Sequence, residues 1–376
     1  MLSKFVSKIK NAIIIIKNIK QINKDKPKVI FFSEGKSYLK YSYLLLNTIA
    51  KNYPNQVYYV STDINDKINN NNIKNIFIGN GLLMQFFFLI VKGDNMFMTL
   101  TDLNNNLIKK NNFIKNYVYF FHGAVSTTKV YTKTAFDNYD KILCNGKYHL
   151  NEITFREKLL KLKKKELIQS GYFYFDYLNQ KLNKSVIPDE VLIAPSWNKN
   201  KDNFINEKFE LIIERLITDG FKVRFRPHPE NLKRSEKYLN KIKKKFIEQK
   251  FFFDSNPENY NALEKAKCLI TDTSGIAIEY LLLMKRPVIY FDNFDKVHNE
   301  EINDYKDLET MDNKIKSLFG SSFNEDQIKD LKKYIENVFN NFDEKNLEID
   351  NFIYENFFNY NNTESFLEKN LSNILK

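Results

Sequence analysis

The sequence predicts an α/β protein with two doubly wound parallel sheets, and three observations carry that reading. From residue 28 onward, short apolar β-rich runs alternate with helix-patterned segments. That alternation yields parallel strands with helices on both faces. The 376 residues exceed one average domain, at roughly 150 residues per domain. A Lys/Asn-rich break at 176–190, closing on Ile187-Pro188-Asp189, leaves enough strands on each side for a sheet of its own. With 43% hydrophobic and 15% aromatic residues, the chain has the means to bury two cores, which argues against intrinsic disorder.

The leader comes first. Residues 1–28 hold eight lysines against one acid, Asp25, so much of the net charge of +12 sits there. Leu2, Phe5, Val6, Ile9, Ile13, Ile16 and Ile19 recur at helical spacing, which describes a basic amphipathic helix over 1–27. Its unbroken apolar run, 12–16, is far below the ~20 residues that span a bilayer and is short for a signal-peptide core. The expected posture is flat on an anionic membrane surface. Strands are then expected at 29–32, 57–61, 76–78, 96–100, 117–121 and 142–144. A second series follows at 191–194, 222–226, 268–271 and 288–291. The Asn/Lys-rich stretches 64–75 and 104–112 read as loops. The apolar run 82–91 is also too short to span and reads as a buried helix. The basic stretches 156–165 and 233–250 read as solvated helix faces. A nucleic-acid surface would instead gather Arg and stacking aromatics, and no nucleic-acid partner is expected. Two cysteines, Cys144 and Cys268, exclude a disulfide scaffold and a four-cysteine zinc site.

Ligands of open α/β sheets bind at the carboxyl ends of the strands, and three strand ends carry chemistry. The run 117–121 is followed by His122-Gly123, placing an imidazole at the sheet rim as a candidate general base, with a glycine for the turn. The run 222–226 ends in Arg226-Pro227-His228-Pro229. Only six arginines exist in the chain, and Arg plus His at a strand end can bind phosphate oxygens. The run 268–271 leads into Asp272-Thr273-Ser274-Gly275 and an apolar helix. Small hydroxyl residues and a glycine there leave helix N–H groups for an anion, and Glu279, one turn in, is placed to reach a ribose. Arg286-Pro287 precedes the next strand. Walker A, GxGxxG, HExxH, GxSxG and Asp-x-Asp patterns are all missing, so phosphate binding falls to helix termini and His/Arg.

Two doubly wound sheets facing a central cleft is the plan of the GT-B glycosyltransferases, in which the C-terminal half holds a nucleotide donor. Within that plan, His122-Gly123, Ile193-Ala194-Pro195-Ser196-Trp197, Arg226-Pro227-His228-Pro229 and Thr271-Asp272-Thr273-Ser274-Gly275 with Arg286-Pro287 follow in order. This set resembles the CDP-glycerol glycerophosphotransferase family of teichoic acid polymerases and primases. The opening Phe31-Phe32-Ser33-Glu34-Gly35-Lys36-Ser37-Tyr38 is similar to a Gram-negative-type subgroup associated with surface polysaccharides. The resemblance implies a GT-B fold with an acceptor domain over 28–180, a nucleotide-donor domain over 181–350 and a final helix, 351–376, returning to the first domain. It implies a metal-independent enzyme without cofactor, peripheral on the inner face of the bacterial cell membrane, moving glycerol phosphate from CDP-glycerol onto a glycan or lipid-linked acceptor. His122 is then the base. Ser196, Arg226, His228, Thr273, Ser274, Gly275 and Glu279 bind the donor, and Gly123, Asp272 and Arg286 support them. Two segments depart from the family pattern. Gly171-Tyr172-Phe173-Tyr174-Phe175-Asp176 stands where the family often has Gly-Tyr-Pro-Arg-x-Asp. His122-Gly123-Ala124-Val125-Ser126-Thr127 stands for His-Gly-Thr-Pro-Leu-Lys. Both flank the acceptor side. A GT-B glycosyltransferase using a CMP- or UDP-sugar in capsule synthesis is the alternative on the same fold.

Overall fold

The computed structural model describes residues 2–376 except 102, 105–107, 198–203, 247–249, 257, 293–296, 306–307 and 343–344, and for 2–11 it describes the backbone path alone. The chain forms two compact units. One holds residues 1–122, 131–177 and 357–376, and the other holds 123–130 and 178–356.

The first unit carries, in chain order, α1 (Leu2–Asp25), β1 (Val29–Ser33), α2 (Leu39–Asn52), β2 (Val57–Ser61), β3 (Ile73–Phe77), α3 (Leu82–Ile90), β4 (Gly93–Met98) and β5 (Ile114–Phe120). The short helix α4 (Thr127–Val130) belongs to the second unit, after which β6 (Lys141–Cys144), α5 (Lys147–Leu159), β7 (Glu166–Gln169) and most of α6 (Phe173–Lys181) complete the first. Its seven strands are all parallel, in the order β3-β2-β1-β4-β5-β6-β7. The strands β1 and β2 are buried along their whole length, as continuous apolar runs covered on both faces must be.

The second unit carries β8 (Glu190–Ile193), α7 (Glu207–Thr218), β9 (Lys222–Phe225), α8 (Pro229–Arg234), α9 (Glu236–Lys245), β10 (Phe251–Phe253), α10 (Asn261–Lys265), β11 (Ala266–Thr271), α11 (Ile276–Met284), β12 (Val288–Phe291), α12 (Met311–Phe319), β13 (Ser321–Phe323), α13 (Leu331–Asn340) and α14 (Asn346–Asn356). Six parallel strands run in the order β10-β9-β8-β11-β12-β13. In both sheets the strand order therefore reverses once, between β1 and β4 in the first unit and between β8 and β11 in the second. Those two crevices are where open α/β sheets take ligands.

The strands the sequence reading misses or displaces share one property. The strands β7, β10 and β13 were not expected, and β3 begins at Ile73 within a stretch expected as loop. All four are sheet edges and only partly buried; β3, β7 and β13 also carry polar residues, and β10 is a mere three phenylalanines long, so none shows the sustained apolar run that marks an interior strand.

A last helix, α15 (Thr363–Ile374), packs on α2 in the first unit, where Leu367, Leu371 and Ile374 join Leu45, Ile49, Phe31 and Tyr59 in one core. The segment leading to it is pinned by Asp176, which accepts hydrogen bonds from Thr363 N (2.8 Å), Thr363 Oγ1 (2.7 Å) and Asn361 N (3.0 Å).

Two helices differ from expectation. In α1, Ile15, Ile19 and Ile22 are buried against the first unit, with Asn18 donating to Phe77 O (2.8 Å) and Asn23 to Ile90 O (3.0 Å). Ile13, Ile14 and Ile16 stay exposed, so the apolar residues divide between a docked and an outward face, while Leu2, Phe5, Val6 and Ile9 lie outside the described side chains. The helix α3 buries Phe87 and Phe88 but exposes Leu82 (81%), Phe86 (44%) and Leu89 (51%), so the run 82–91 is not buried all round.

Candidate active site

In the first unit, β5 delivers Phe121 and His122 to the carboxyl edge. The His122 ring lies edge-on between Tyr38 (centroids 5.3 Å apart) and Tyr41 (6.0 Å). The residue is half-buried, but its Nδ1 is sealed from solvent and has no hydrogen-bond partner. Burial holds the imidazole down to about 4, so it is neutral near pH 7, the form a base requires. Gly123 is not at positive φ, and a Cβ there would make an ordinary 3.8 Å contact with Val125, so no left-handed turn demands the glycine.

The exit of β1 is more constrained. Gly35 has φ +136, and no atom stands within 4 Å of where its Cβ would lie. Its N–H donates to Ser33 Oγ (3.1 Å). Ser33 Oγ donates to the buried carboxylate of Asp66 (2.6 Å), which also accepts from Tyr59 (2.9 Å) and Ser61 (2.8 Å). This satisfied buried network fixes the turn that carries Glu34 and Tyr38. Glu34 accepts the hydroxyl of Thr99, the residue after β4, at 2.5 Å, and burial raises its carboxyl above the ordinary range. Glu34 and Thr99 thus bridge the β1/β4 crevice.

In the second unit, β8 and β11 bring Ser196 and Asp272 together. Asp272 accepts from Ser196 N (2.8 Å) and Ser196 Oγ (2.7 Å), and Asn231 Nδ2 donates to Ser196 O (3.2 Å). The helix α11 starts at Gly275 with no side-chain cap, beside a buried Thr273 hydroxyl that has no partner. Ser274 and Gly275 are half-buried. A Cβ on Gly275 would stand 3.3 Å from Val125, so the small residue allows that close approach. Glu279 is buried in the first turn of the helix. An uncapped helix N-terminus with an orphaned hydroxyl is suited to an anion.

At the end of β9, His228 is the N-cap of α8, and its Nδ1 accepts the Glu230 N–H (3.1 Å). The ring proton then sits on Nε2. Arg226 is held by Asp254, with Nε at 3.0 Å and Nη2 at 2.8 Å from Oδ2, and Nη2 also donates to Asn259 O. Its neighbour in alternation, Arg224, pairs with Glu190. Arg286 donates to the carbonyls of Glu264 (2.6 Å) and Ala266 (2.7 Å), tying α10 to β11.

No protein-family model matches the chain, and no curated protein matches its sequence. Solved structures do match its fold. The wall teichoic acid polymerase TagF superposes with a TM-score of 0.61 at 15% identity, covering 98% of both chains. The UDP-bound MnaA of S. aureus superposes at 0.55 with 11% identity, over 92% of this chain and 96% of that one. A putative UDP-N-acetylglucosamine 2-epimerase from Listeria monocytogenes superposes at 0.54 with 12% identity, over 93% and 97%. The chain has the GT-B fold. At these identities the likeness concerns fold alone.

On that fold, the expected donor residues fall around the β8/β11 crevice and the adjoining end of β9, while His122 lies one strand beyond the β1/β4 crevice. Sequence reasoning missed Glu34 and Thr99 as a pair and Asp254 as the partner of Arg226. Glu34 lies in the quoted 31–38 segment, but Thr99 and Asp254 carry no local signal. Among the described residues, no helix is long and apolar enough to cross a membrane.

Proposed function

We propose that the protein transfers glycerol phosphate, or a related polyol phosphate, from CDP-glycerol to a hydroxyl of a glycan or lipid-linked acceptor in surface-polysaccharide or teichoic-acid-like synthesis, releasing CMP. The observation that carries this reading is the buried, partnerless Nδ1 of the neutral His122 at the carboxyl edge of the first unit. His122 takes the proton of the acceptor hydroxyl, and that oxygen attacks the phosphorus bearing the glycerol. A new P–O bond forms, the bond to CMP breaks, and CMP leaves with its charge. The N-terminus of α11 with Thr273, Ser274 and Gly275, together with Nε2–H of His228, supplies hydrogen bonds and positive potential to the phosphates. Such positioning and charge stabilisation are what phosphoryl transfer chiefly requires. Glu279 contacts the ribose. Ser196 and Asp272 shape the rim through their mutual hydrogen bonds, and Arg226, oriented by Asp254, adds charge. Neither metal nor organic cofactor enters this reading.

The test is CMP release by the purified full chain, with EDTA present, from CDP-glycerol, CDP-ribitol, CMP-sugars and UDP-sugars in the presence of lipid-linked or capsular acceptor extract. Turnover of a CDP-polyol is the expected result. Turnover of a CMP- or UDP-sugar, with silence toward CDP-polyols, replaces this reading with a glycosyltransferase.

The same reading places the protein on the inner face of the cell membrane through α1 and α3, which pack together. Exposed Ile13 and Ile16 on one and Leu82, Phe86 and Leu89 on the other, with exposed Lys17, Lys20 and Lys24, combine apolar area with positive charge. Sedimentation should show binding to phosphatidylglycerol vesicles that weakens with salt, and Leu82→Glu with Phe86→Glu should weaken it by about tenfold or more. Equal binding by the double variant removes α3 from the contact.

A further inference from the structure

The β1/β4 crevice of the first unit holds a group of side chains that the donor chemistry does not use. Glu34 and Thr99 meet across it at 2.5 Å. Three residues beyond Gly35, the half-buried Tyr38 presents its ring to His122, and Tyr41 stands on the imidazole's other neighbouring position. Tyr41 packs on Tyr174 with centroids 4.6 Å apart, and the Lys40 ammonium lies 4.9 Å from the Tyr41 centroid and 5.4 Å from that of Tyr174. Tyr174 occupies the place where the resembled pattern carries an arginine. Beside Glu34, the space where Gly35 would carry a Cβ is open, and across the Tyr38 ring the Nδ1 of His122 lacks a partner. The walls are therefore aromatic, and the polar groups are a carboxyl and hydroxyls. Of the two lysines on this stretch, Lys36 is exposed to solvent and Lys40 sits over two rings.

We infer that Glu34, Thr99 and Tyr38 form an acceptor subsite for a neutral sugar ring, so that the hydroxyl presented to His122 belongs to a glycosyl unit and not to a polyol phosphate. A sugar ring has an apolar C–H face that stacks on an aromatic ring and a girdle of hydroxyls that pair with a carboxyl and a threonine. A polyol phosphate brings an anion, and the carboxyl of Glu34 offers it no charge complement. Glu34 is then a hydroxyl-binding residue and Tyr38 a stacking residue, each setting acceptor specificity. The inference rests on the proposed role of His122 as the base at the acceptor.

The test uses no donor, so a wrong donor assignment leaves it intact. Saturation-transfer NMR is recorded on the full chain with the methyl glycosides of glucose, galactose, N-acetylglucosamine and N-acetylgalactosamine, and in parallel with glycerol 3-phosphate. The expected result is saturation of ring C–H protons in at least one glycoside and none in glycerol 3-phosphate. Tyr38→Ala and Glu34→Gln should each weaken that binding by about tenfold, while Tyr38→Phe, which keeps the ring, should stay within about twofold of the parent. A thermal melt of each variant separates loss of binding from loss of fold. With an acceptor substrate in hand, Glu34→Gln should raise the acceptor KM more than it lowers kcat. Binding of glycerol 3-phosphate but not of any glycoside, no glycoside binding at all, or glycoside binding unmoved in folded Tyr38→Ala and Glu34→Gln, each overturns the inference.

Discussion

Replacing His122 with alanine should lower CMP release from the competent donor by about 10²–10⁴-fold, the usual contribution of a positioned general base. The loss should fall on kcat, because the imidazole acts on the acceptor proton in the transition state and not on the donor. CMP binding, followed by the fluorescence of Trp197, the chain's one tryptophan, which lies next to Ser196 and 5.1 Å from Arg234, should persist in the variant. Full turnover in His122→Ala would remove His122 from the chemistry and with it the reading of the first unit as the acceptor side. The pH profile adds a second handle. Burial lowers the imidazole from 6.5 to about 4. The acid limb of kcat/KM should therefore lie near 4, with activity flat from neutral pH down past 6, and a limb at the ordinary histidine value would contradict the burial of Nδ1. Stability carries the matching sign. Above the unfolded value, ~6.5, the ring is neutral in both states and pH has no effect through it. As pH falls from there toward 4, the unfolded chain takes up a proton that the folded one refuses, so stability declines across that window. His122→Asn should flatten the decline.

Gly171→Ala should be the most damaging single methyl added to the first unit. Gly171 has φ +85, and its Cβ would stand 2.2 Å from Phe358 O and 2.8 Å from Thr363 Cγ2. The carbonyl cannot easily retreat. Phe358 N is bonded to Asn145 O at 2.9 Å, Phe357 bridges Gly146, and Asp176 grips Asn361 and Thr363 just beyond. Left-handed strain of about 1–2 kcal/mol and overpacking of about 1–3 kcal/mol both apply. A loss of roughly 4 kcal/mol follows, enough to lower the unfolding midpoint by roughly 10 °C. Gly220→Ala is the control: φ is +91 there, but no atom lies within 4 Å of the new Cβ, so it reports backbone strain alone. Equal melting of the two variants would mean that the 357–363 segment gives way freely.

The parts of the fold that were legible share a cause. Interior parallel strands are buried where helices cover both faces, throughout β1 and β2 and over the last four residues of β5 and β11, and that demand is written in consecutive residues. The ends of such strands follow at once, which is why His122 and the 271–275 segment could be singled out as candidates, with His228 two residues past Arg226. The edges β7, β10 and β13 escaped because an edge needs only partial burial, and α3 was misjudged because an apolar run records hydrophobicity without recording what covers it.

Partnership is a different kind of information. Arg226 could be read as a phosphate ligand from its strand end, but its engagement by Asp254, 28 residues on, depends on β10 lying beside β9. Glu34 and Thr99, 65 residues apart, meet because β1 and β4 are neighbours at the point where strand order reverses. The same holds for α15, whose Leu367 and Leu371 complete the core over α2 although more than three hundred residues separate them from it. Local periodicity tells each segment which face to bury, and so the amino-acid order settled the class of fold and which residues stand at the strand ends. Which side chains meet at those rims was settled by strand order and long-range packing, because the energy of such contacts belongs to pairs of residues that no local pattern brings together.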